Sequence, residues 1–289
     1  MSEATDTVAP TYETTTPVRF AREGAVAIVT LDRPRFGNAQ NAQMLYALDE
    51  AFAEAAADDA VKAIVLRGEG KHFSSGHDIG TPGCDFGVSQ TGRRRTLWYD
   101  HAGTPGAETN YVREQESYLG LCRRWRDIPK PMVAAVQGAC IAGGLMLAWI
   151  ADIIVASEDA FFQDPVLKMG VPGVEYFAHA FEMHPRIARE FLYLGERMPA
   201  QRAYELGMVN RVVARDALDE TALAIAARAA ESPRFALALA KQAFNQLDDI
   251  AGRKTGMDAV FGLHHLAHAH NQLTGDWLGG VRADKIKDS

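Results

Sequence analysis

Two short segments carry small residues in an order that can place backbone amides against a ligand. One is FSSGHDI at residues 73–79, and the other is QGACIAGG at residues 137–144. Their glycines let the chain approach a ligand closely, and backbone N–H groups in such turns can stabilise an oxygen that becomes negatively charged. A glycine pair before an apolar helix is also typical of tight packing. Convergence of the two turns on one carbonyl oxygen is therefore a hypothesis that depends on the surrounding elements.

The elements around these segments alternate between strand and helix. Short apolar runs that end at turn residues predict buried strands, whereas apolar residues spaced three and four apart predict amphipathic helices. This alternation indicates an α/β core. The predicted strands are residues 18–20, 25–31, 61–66, 132–136, 153–156 and 209–214. The predicted helices include one with Met44, Leu45, Leu48, Phe52 and Ala56 on one face, one at residues 140–150, and one that starts at Ser232 and Pro233.

Residues 80–116 differ from the rest of the chain. They are rich in glycine and contain an arginine run at 93–95 and the aromatic pair Trp98 and Tyr99. We predict a long surface excursion here. Segments of this length inside compact domains are commonly functional lids or disordered loops, and the sequence favours neither.

Composition limits the class of protein. The 289 residues, 47% of them hydrophobic, suffice for one large domain with its own core. A net charge of -7 argues against a nucleic-acid partner. Three cysteines at irregular spacing suggest no disulfide framework and favour the cytoplasm. Residues 1–17 are expected to form a disordered tail rather than a secretory signal, and the apolar residues 139–151 fall short of the ~18 needed to span a membrane.

The order of several motifs resembles the crotonase superfamily, that is, the enoyl-CoA hydratase/isomerase family. Each motif is weak alone, but chance does not readily explain their shared order, which extends over most of residues 18–275. The motifs are LDRP at 31–34 with Asn38 and Asn41, KHFSSGHDI at 71–79, IPKP at 128–131, AAVQG at 134–138, AGG at 142–144, ADIIVA at 151–156, MGVPG at 169–173 and GERM at 195–198.

The resemblance implies a fold and a substrate class. It implies a ClpP-like α/β spiral of ββα turns in residues 18–215, with the insert at about 80–116, and a helical trimerisation region in residues 216–289. Such proteins form homotrimers or hexamers built from two trimers. The implied ligand is an acyl-CoA or enoyl-CoA thioester. Because coenzyme A is part of that substrate, no separate cofactor is expected.

The resemblance also assigns binding residues. In the family, two backbone amides form an oxyanion hole, and the matching residues here are His77 and Gly143. The basic residue that approaches CoA corresponds to Arg35. The imidazole of His77 could reach the ligand as well, although a role for its backbone alone fits the pattern equally. The backbone expected to line the CoA pocket is that of His77, Asp78, Ile79 and Gly80.

Two positions depart from the family pattern. Typical hydratases carry two glutamates, and the matching positions here hold Met146 and Val166. Neither side chain can transfer a proton, whereas a positioned acid or base typically contributes ~10²- to 10⁴-fold. We therefore expect isomerisation or other enolate chemistry rather than ordinary hydration.

Two carboxylates are candidates for the missing acid or base. Glu175, just beyond the MGVPG motif, is the first candidate, and Asp164 is the second. Glu175 could instead charge the first turn of a helix, and Asp164 could instead form an Asx turn or helix cap.

Two rival functions stay open. The changes at Met146 and Val166 are compatible with a catalytically silent acyl-CoA-binding protein. A serine hydrolase of the related spiral fold would use Ser74 or Ser75, but neither lies in a Gly-x-Ser-x-Gly elbow.

Two charged or titratable clusters suggest ligands less directly. The arginine runs at 93–95 and 123–126 could contact CoA phosphates, although such runs are more often solvated faces. Near the C-terminus, His264 and His268 share one helix face. Without a carboxylate at ligand spacing along the chain, we expect core or interface histidines and no metal. The other histidines of this cluster are His265 and His270.

Overall fold

The computed structural model describes residues 16–79, 98–99 and 104–275. Strands and helices alternate along this part of the chain, as the sequence predicts. The strands are β1 (Val18–Glu23), β2 (Val26–Leu31), β3 (Ala63–Gly68), β4 (Met132–Val136), β5 (Ala139–Ile141), β6 (Ile153–Ser157), β7 (Phe161–Gln163), β8 (Met198–Pro199) and β9 (Arg211–Val213). The helices are α1 (Ala42–Ala57), α2 (Ala107–Glu114), α3 (Leu121–Arg126), α4 (Gly143–Trp149), α5 (His179–Glu182), α6 (Pro185–Leu194), α7 (Ala200–Glu205), α8 (Leu218–Ala230), α9 (Arg234–Ile250) and α10 (Arg253–Thr274).

The predicted N-terminal hairpin is confirmed. β1 and β2 pair antiparallel, from Val18 opposite Leu31 to Glu23 opposite Val26. Gly24 supplies the positive φ, +56°, that the tight turn requires. β2 pairs on its other side with β3 in parallel. Because β2 is thus an inner strand, all six of its residues are buried, which explains its continuous apolar run.

Within the described residues the strands form two sheets, in the orders β1-β2-β3-β4-β6-β9 and β5-β7-β8. The strands from β2 to β9 in the larger sheet run parallel. β4 and β6 are each followed by a strand of the smaller sheet, β5 and β7, before the chain turns into helix. This repeat of two strands and a helix is the predicted ββα spiral, and the α/β fold class is confirmed.

Both faces of the larger sheet are buried. In β3, Ile64 and Leu66 belong to the main core, whereas the intervening Val65 packs in a second core beneath α8. This alternation follows from the two-residue period of a strand. Ala222 and Ala226 of α8 supply the small side chains of the second core, so the helix can lie close to the sheet.

The helix predicted at residues 140–150 begins later than expected. Residues Ala139–Ile141 form β5, in which Cys140 pairs with Phe162 of β7. The α-helix starts only at Gly143. The apolar run therefore contains a strand, a sharp turn and a helix, and hydrophobicity alone does not separate them because all three are buried.

The prediction of a surface excursion through residue 116 is wrong for its described C-terminal part. α2 continues into a π-helical segment, Gln115–Gly120, and then into α3. Asn110, Arg113 and Glu114 of α2 are buried. The polar sequence of α2 suggests a solvated loop, but the buried Glu114 lies against Arg113 and His264. The arginine run at 93–95 lies outside the described residues.

The C-terminal region is helical, as predicted, over α8, α9 and α10. α10 packs against both α9 and α2. At the other end, Pro17, which the sequence assigns to the tail, is buried and its carbonyl accepts the N–H of Asp32 at 2.8 Å. In the parts of the chain that are described, no helix has the length and apolar character needed to cross a bilayer.

Candidate active site

The two glycine turns lie side by side. Phe73 N–H donates to the carbonyl of Gln137 at 2.7 Å, and Ser74 N–H donates to that of Ala139 at 3.1 Å. Ile141 N–H donates in return to the carbonyl of Ser74 at 3.0 Å. These bonds fix the spacing between the segments that the sequence singled out.

Glycine is required where the two turns touch. Gly76 has φ +95°, and a Cβ on it would lie 2.8 Å from the carbonyl oxygen of Ile141 and 3.2 Å from Gly143 N. Gly143 is the first residue of α4, so its N–H has no acceptor within its own helix. The N–H of His77 donates to no acceptor among the described residues. Both amides remain available as donors, as the oxyanion-hole prediction requires.

The imidazole of His77 joins this turn to a carboxylate. Its Nε2 lies 3.0 Å from Glu175 Oε2. Its ring stacks on Tyr118, with centroids 3.7 Å apart and planes inclined by 19°. A Cβ at Gly143 would lie 2.7 Å from its Nδ1. The side chain of His77 therefore lines the cavity together with Glu175 and Tyr118.

Glu175 is a buried carboxylate in a cavity. It precedes α5 rather than lying in its first turn, and it is 5% exposed. Burial by itself would raise the pKa of Glu175, but the charge of His77 and its hydrogen bond lower the pKa below its usual value. The carboxylate is thus ionised, and His77 Nε2–H donates to it. Apolar side chains such as Val166, Met169 and Val171 form much of the remaining cavity wall.

A second buried carboxylate, Glu114 of α2, lines the same cavity. Its Oε2 lies 3.4 Å from His264 Nε2, 3.3 Å from His265 Nε2 and 3.6 Å from His268 Nε2. Its Oε1 accepts a hydrogen bond from Arg113 Nη2 at 2.9 Å. α2 and α10, distant in sequence, thus build one side of the cavity together.

The charges of this cluster are strongly coupled. Burial would raise the pKa of Glu114, but His264 and Arg113 hold it well below its usual range. Burial would lower the pKa of His264, but the carboxylates of Glu114 and Glu175 raise it to about 9. Burial lowers the pKa of His265 to about 4 and also lowers that of His268. At neutral pH the cavity therefore holds two carboxylates and an imidazolium.

Comparison with known proteins identifies the family. The family model described as enoyl-CoA hydratase/isomerase matches residues 21–91 and 101–274. The chain belongs to the enoyl-CoA hydratase/isomerase family. EchA13 of Mycobacterium tuberculosis is 40% identical to it over 260 residues, which are 89% of this chain and 81% of that protein. The crotonase resemblance is confirmed, and acyl-CoA thioesters are the substrate class of the family.

Solved structures support the same fold. A crystal structure from Mycobacterium smegmatis is 41% identical, with a TM-score of 0.81, and the match covers 91% of this chain and 99% of that chain. An enoyl-CoA hydratase/isomerase from Xanthobacter autotrophicus Py2 is 32% identical, with a TM-score of 0.77, and covers 95% of this chain and 91% of that chain.

The residues that bear on acid/base chemistry differ in whether they line the cavity. Val166 lines the cavity, and Met146 is buried in the main core. Asp164 is fully buried, with its Oδ2 2.8 Å from His179 Nε2 and its Oδ1 accepting the N–H of Val166 at 3.3 Å. Asp164 thus orders the loop, whereas Glu175 reaches the cavity.

The predicted CoA-binding residues lie around the first turn. Arg35 is exposed in the short 3-10 helix Pro34–Phe36. Asp78 is buried and forms an ion pair with Arg33 at 3.0 Å, so it stabilises the loop. Ile79 lies at the cavity. Gly80 lies outside the described residues.

The serine-hydrolase alternative has no support in the geometry. Ser74 Oγ donates to the carbonyl of Asn38 at 2.9 Å and accepts from Gln40 Nε2 at 3.1 Å. In residues 16–79 and 104–275, neither Ser74 nor Ser75 is hydrogen-bonded to a histidine. A serine without a base in reach is a weak nucleophile.

The arginines of α3 bind protein carboxylates. Arg123 pairs with Asp258 at 2.7 Å, and Arg126 pairs with Asp249 at 3.1 Å. Arg124 pairs with Asp49. These arginines, which the sequence offered as possible contacts for CoA phosphates, thus pair with carboxylates of other helices.

Sequence reasoning missed the contribution of α2 and α10 to the site. Glu114 was part of the presumed excursion, and His264 and His268 were assigned to a core or interface. The i,i+4 spacing of the two histidines was the available signal, but nothing in the local sequence indicated that a carboxylate approaches them. Tyr118, which stacks on His77, carried no recognisable motif.

Proposed function

We propose that this protein forms an enolate from an acyl-CoA thioester and that Glu175 transfers the proton, most directly in the interconversion of 3-enoyl-CoA and 2-enoyl-CoA. The observation that carries the proposal is the position of Glu175. It is an ionised carboxylate that lines the cavity, and its hydrogen bond to His77, at 3.0 Å, joins it to the first glycine turn.

The isomerisation needs one carboxylate and an oxyanion hole. The amides of His77 and Gly143 donate to the thioester oxygen, Glu175 accepts a proton from C2, and the electron pair of that C–H bond moves into the dienolate. Glu175 then returns the proton to C4, and the double bond moves from C3–C4 to C2–C3. No water is consumed, so the absence of a proton-transferring group at Met146 and Val166 does not impede the reaction.

His77 acts as a positioning residue in this proposal. The stack on Tyr118 fixes the imidazole plane, and Nε2–H holds one oxygen of Glu175. The second oxygen, Oε1, lies 3.9 Å from His264 Nε2 in the wall of the cavity proposed to hold the acyl chain. An ionised base held in one rotamer loses little entropy when the substrate binds.

The test compares Glu175→Gln with the wild type. We expect the variant to lose isomerisation of a medium-chain 3-enoyl-CoA by ~10²- to 10⁴-fold, the usual contribution of a general base. Exchange of the α-protons of a saturated acyl-CoA for deuterium should fall in parallel, because exchange reports enolate formation without any net reaction. Glu190→Gln, an exposed change of the same chemistry on α6, is the matched control.

Two outcomes contradict the proposal. Undiminished α-proton exchange in Glu175→Gln would show that another group is the base. Binding of acyl-CoA by the wild type with no exchange across a range of chain lengths would instead identify a catalytically silent binding protein.

A second candidate is hydration by a relocated pair of carboxylates. It is favoured by one observation, the presence of Glu114 beside Glu175, both within 4 Å of His264 Nε2. In that case crotonyl-CoA hydration would be robust and would require both glutamates. Loss of hydration but retention of isomerisation in Glu114→Gln would select it over the isomerase.

A further inference from the structure

Three ligand atoms meet in the cavity wall between α2 and α10. Glu114 Oε2, His264 Nε2 and His268 Nε2 all lie within 4.8 Å of one another. His264 and His268 are one helical turn apart, so both rings project from the same face of α10. Two histidines spaced in this way on a helix, together with a carboxylate, form a common ligand set for divalent transition metals.

The separations between these atoms fit a shared ion. Two ligands that each lie ~2.1 Å from one metal are ~3.0 Å apart at a right angle and ~3.4 Å apart at the tetrahedral angle. The two Nε2 atoms are 2.9 Å apart, and Glu114 Oε2 lies 3.4 Å from His264 and 3.6 Å from His268. All three edges of the triangle therefore lie within about 0.2 Å of the separations in one coordination sphere.

Contacts made by the other atoms of His264 and Glu114 orient their ligand atoms towards a common point. His264 Nδ1 lies 2.8 Å from the carbonyl oxygen of Gly173. Because a carbonyl only accepts, Nδ1 keeps a proton, and Nε2, which faces the cluster, gives up its own proton when it binds a metal. Glu114 Oε1 is held by Arg113, which leaves Oε2 as the ligand atom. Such outer partners are typical of metal-binding histidines and carboxylates.

Glu114 Oε2 also lacks a conventional partner. The residue is 3% exposed, and this oxygen makes no hydrogen bond within the described part of the chain although three ring nitrogens surround it. A buried carboxylate oxygen is costly unless a cation or a donor satisfies it, and without a metal the protonated ring of His264 faces it only at 3.4 Å. A metal ion that replaces the His264 Nε2 proton and binds both histidines would satisfy it directly.

We propose that Glu114, His264 and His268 bind one divalent transition-metal ion of the zinc class, with the remaining coordination positions directed into the acyl cavity. Imidazole ligands favour such ions over Mg²⁺ or Ca²⁺, which prefer oxygen ligands throughout. Glu175 Oε1, 3.9 Å from His264 Nε2, lies on the cavity side of the site. An oxygen of the acyl group or a water molecule can occupy the open positions. The sequence analysis expected no metal because no carboxylate is near the histidines along the chain; the fold supplies Glu114 from α2.

The proposal is tested by metal binding to tag-free protein in the absence of acyl-CoA. The protein is treated with a chelator, desalted and titrated with Zn²⁺ by calorimetry and by competition with a chromophoric chelator. We expect one ion per chain. Glu114→Gln and His268→Asn should each weaken binding by at least ~100-fold, because changes in outer partners alone already cost ~10- to 100-fold. Mg²⁺ should not compete.

His270→Asn is the matched control, because this exposed histidine lies on the same helix but not in the cluster. It should bind Zn²⁺ as the wild type does. His268 is partly exposed, so His268→Asn is expected to fold even where a change at the buried Glu114 is less well tolerated. Circular dichroism before each titration verifies the fold.

X-ray absorption at the zinc edge should show nitrogen and oxygen ligands at ~2.0–2.1 Å and no sulfur. Absence of stoichiometric binding to the wild type would overturn the proposal, as would undiminished binding to folded Glu114→Gln and His268→Asn. The cluster would then be a charged hydrogen-bonded network. Because these titrations contain no substrate, their outcome is independent of the enolate chemistry proposed for Glu175.

Discussion

Replacement of Gly143 by alanine should impair catalysis through a steric contact inside the site. The added Cβ would lie 2.6 Å from His77 Cε1 and 2.7 Å from Nδ1. Gly143 opens α4, where alanine is favourable for the backbone, so space is the main obstacle. To restore ordinary carbon contacts, the imidazole must move by roughly 0.8–1 Å.

That displacement determines the magnitude of the effect. It lengthens the 3.0 Å bond between His77 and Glu175 and disturbs the stack on Tyr118. It also shifts one of the two turns that supply the oxyanion donors. We expect kcat to fall ~10²-fold, equivalent to about 2.7 kcal/mol of transition-state stabilisation. Overpacking should lower the free energy of unfolding by about 1–3 kcal/mol, which leaves the protein folded.

The assay is α-proton exchange of a saturated acyl-CoA, measured by mass spectrometry, alongside isomerisation of a 3-enoyl-CoA. Gly262→Ala is the control, since a Cβ there meets no atom within 4 Å and the residue lies in α10. Gly143→Ala is also made in a His77→Ala background. Removal of the imidazole relieves the contact, so the added loss there should be under ~5-fold.

Normal activity of Gly143→Ala would refute the reasoning. So would a loss that is equally large with and without the His77 side chain, because the contact between the two residues would then not be the cause.

Three further predictions concern stability and assembly. Burial and two neighbouring cations lower the pKa of His72 from 6.5, so protonation of His72 favours the unfolded state. In denaturant titrations the free energy of unfolding should therefore fall as the pH drops below about 6.5, and His72→Gln should reduce this fall. Lys241 Nζ is buried and lies 2.8 Å from the partly exposed Asp152 Oδ2, so Lys241→Met should lower the free energy of unfolding by about 2 kcal/mol, less than for a fully buried pair. An unchanged free energy of unfolding in urea titrations would show that this ion pair does not stabilise the fold. Phe244 and Ile250 of α9 are apolar but 72% and 82% exposed, as expected for residues of a subunit interface. Replacement of both by lysine should convert the expected trimer into monomer in analytical ultracentrifugation, whereas an unchanged mass would place the interface elsewhere.

The elements with regular patterns were predictable from the sequence. The apolar run of β2 and the turn at Gly24 predicted the hairpin, and the helical spacing of Met44 to Phe52 predicted α1. Where strand, turn and helix are equally apolar, as in residues 139–149, the pattern could not locate the boundary. That boundary depends on the pairing of β5 with β7, which is a contact between distant residues.

The candidate site divides in the same way. The glycine turns with His77 and Gly143, and the changes at Met146 and Val166, are visible in the sequence because each depends on residue type at one position in an ordered series of motifs. The choice between Glu175 and Asp164 required the fold, since it depends on which carboxylate reaches the cavity and which is bound by His179.

The sequence by itself determined the α/β spiral, the enoyl-CoA hydratase/isomerase family and the two backbone turns of the proposed oxyanion hole, because these depend on local patterns and their order along the chain. Only the tertiary structure decided that Glu114 lies against His264 and His268 and that His77 holds Glu175. These side chains are remote in sequence, and they come within a few ångströms of one another only when α2 and α10 pack together. Their pKa values shift, and their ligand atoms converge, because of that packing.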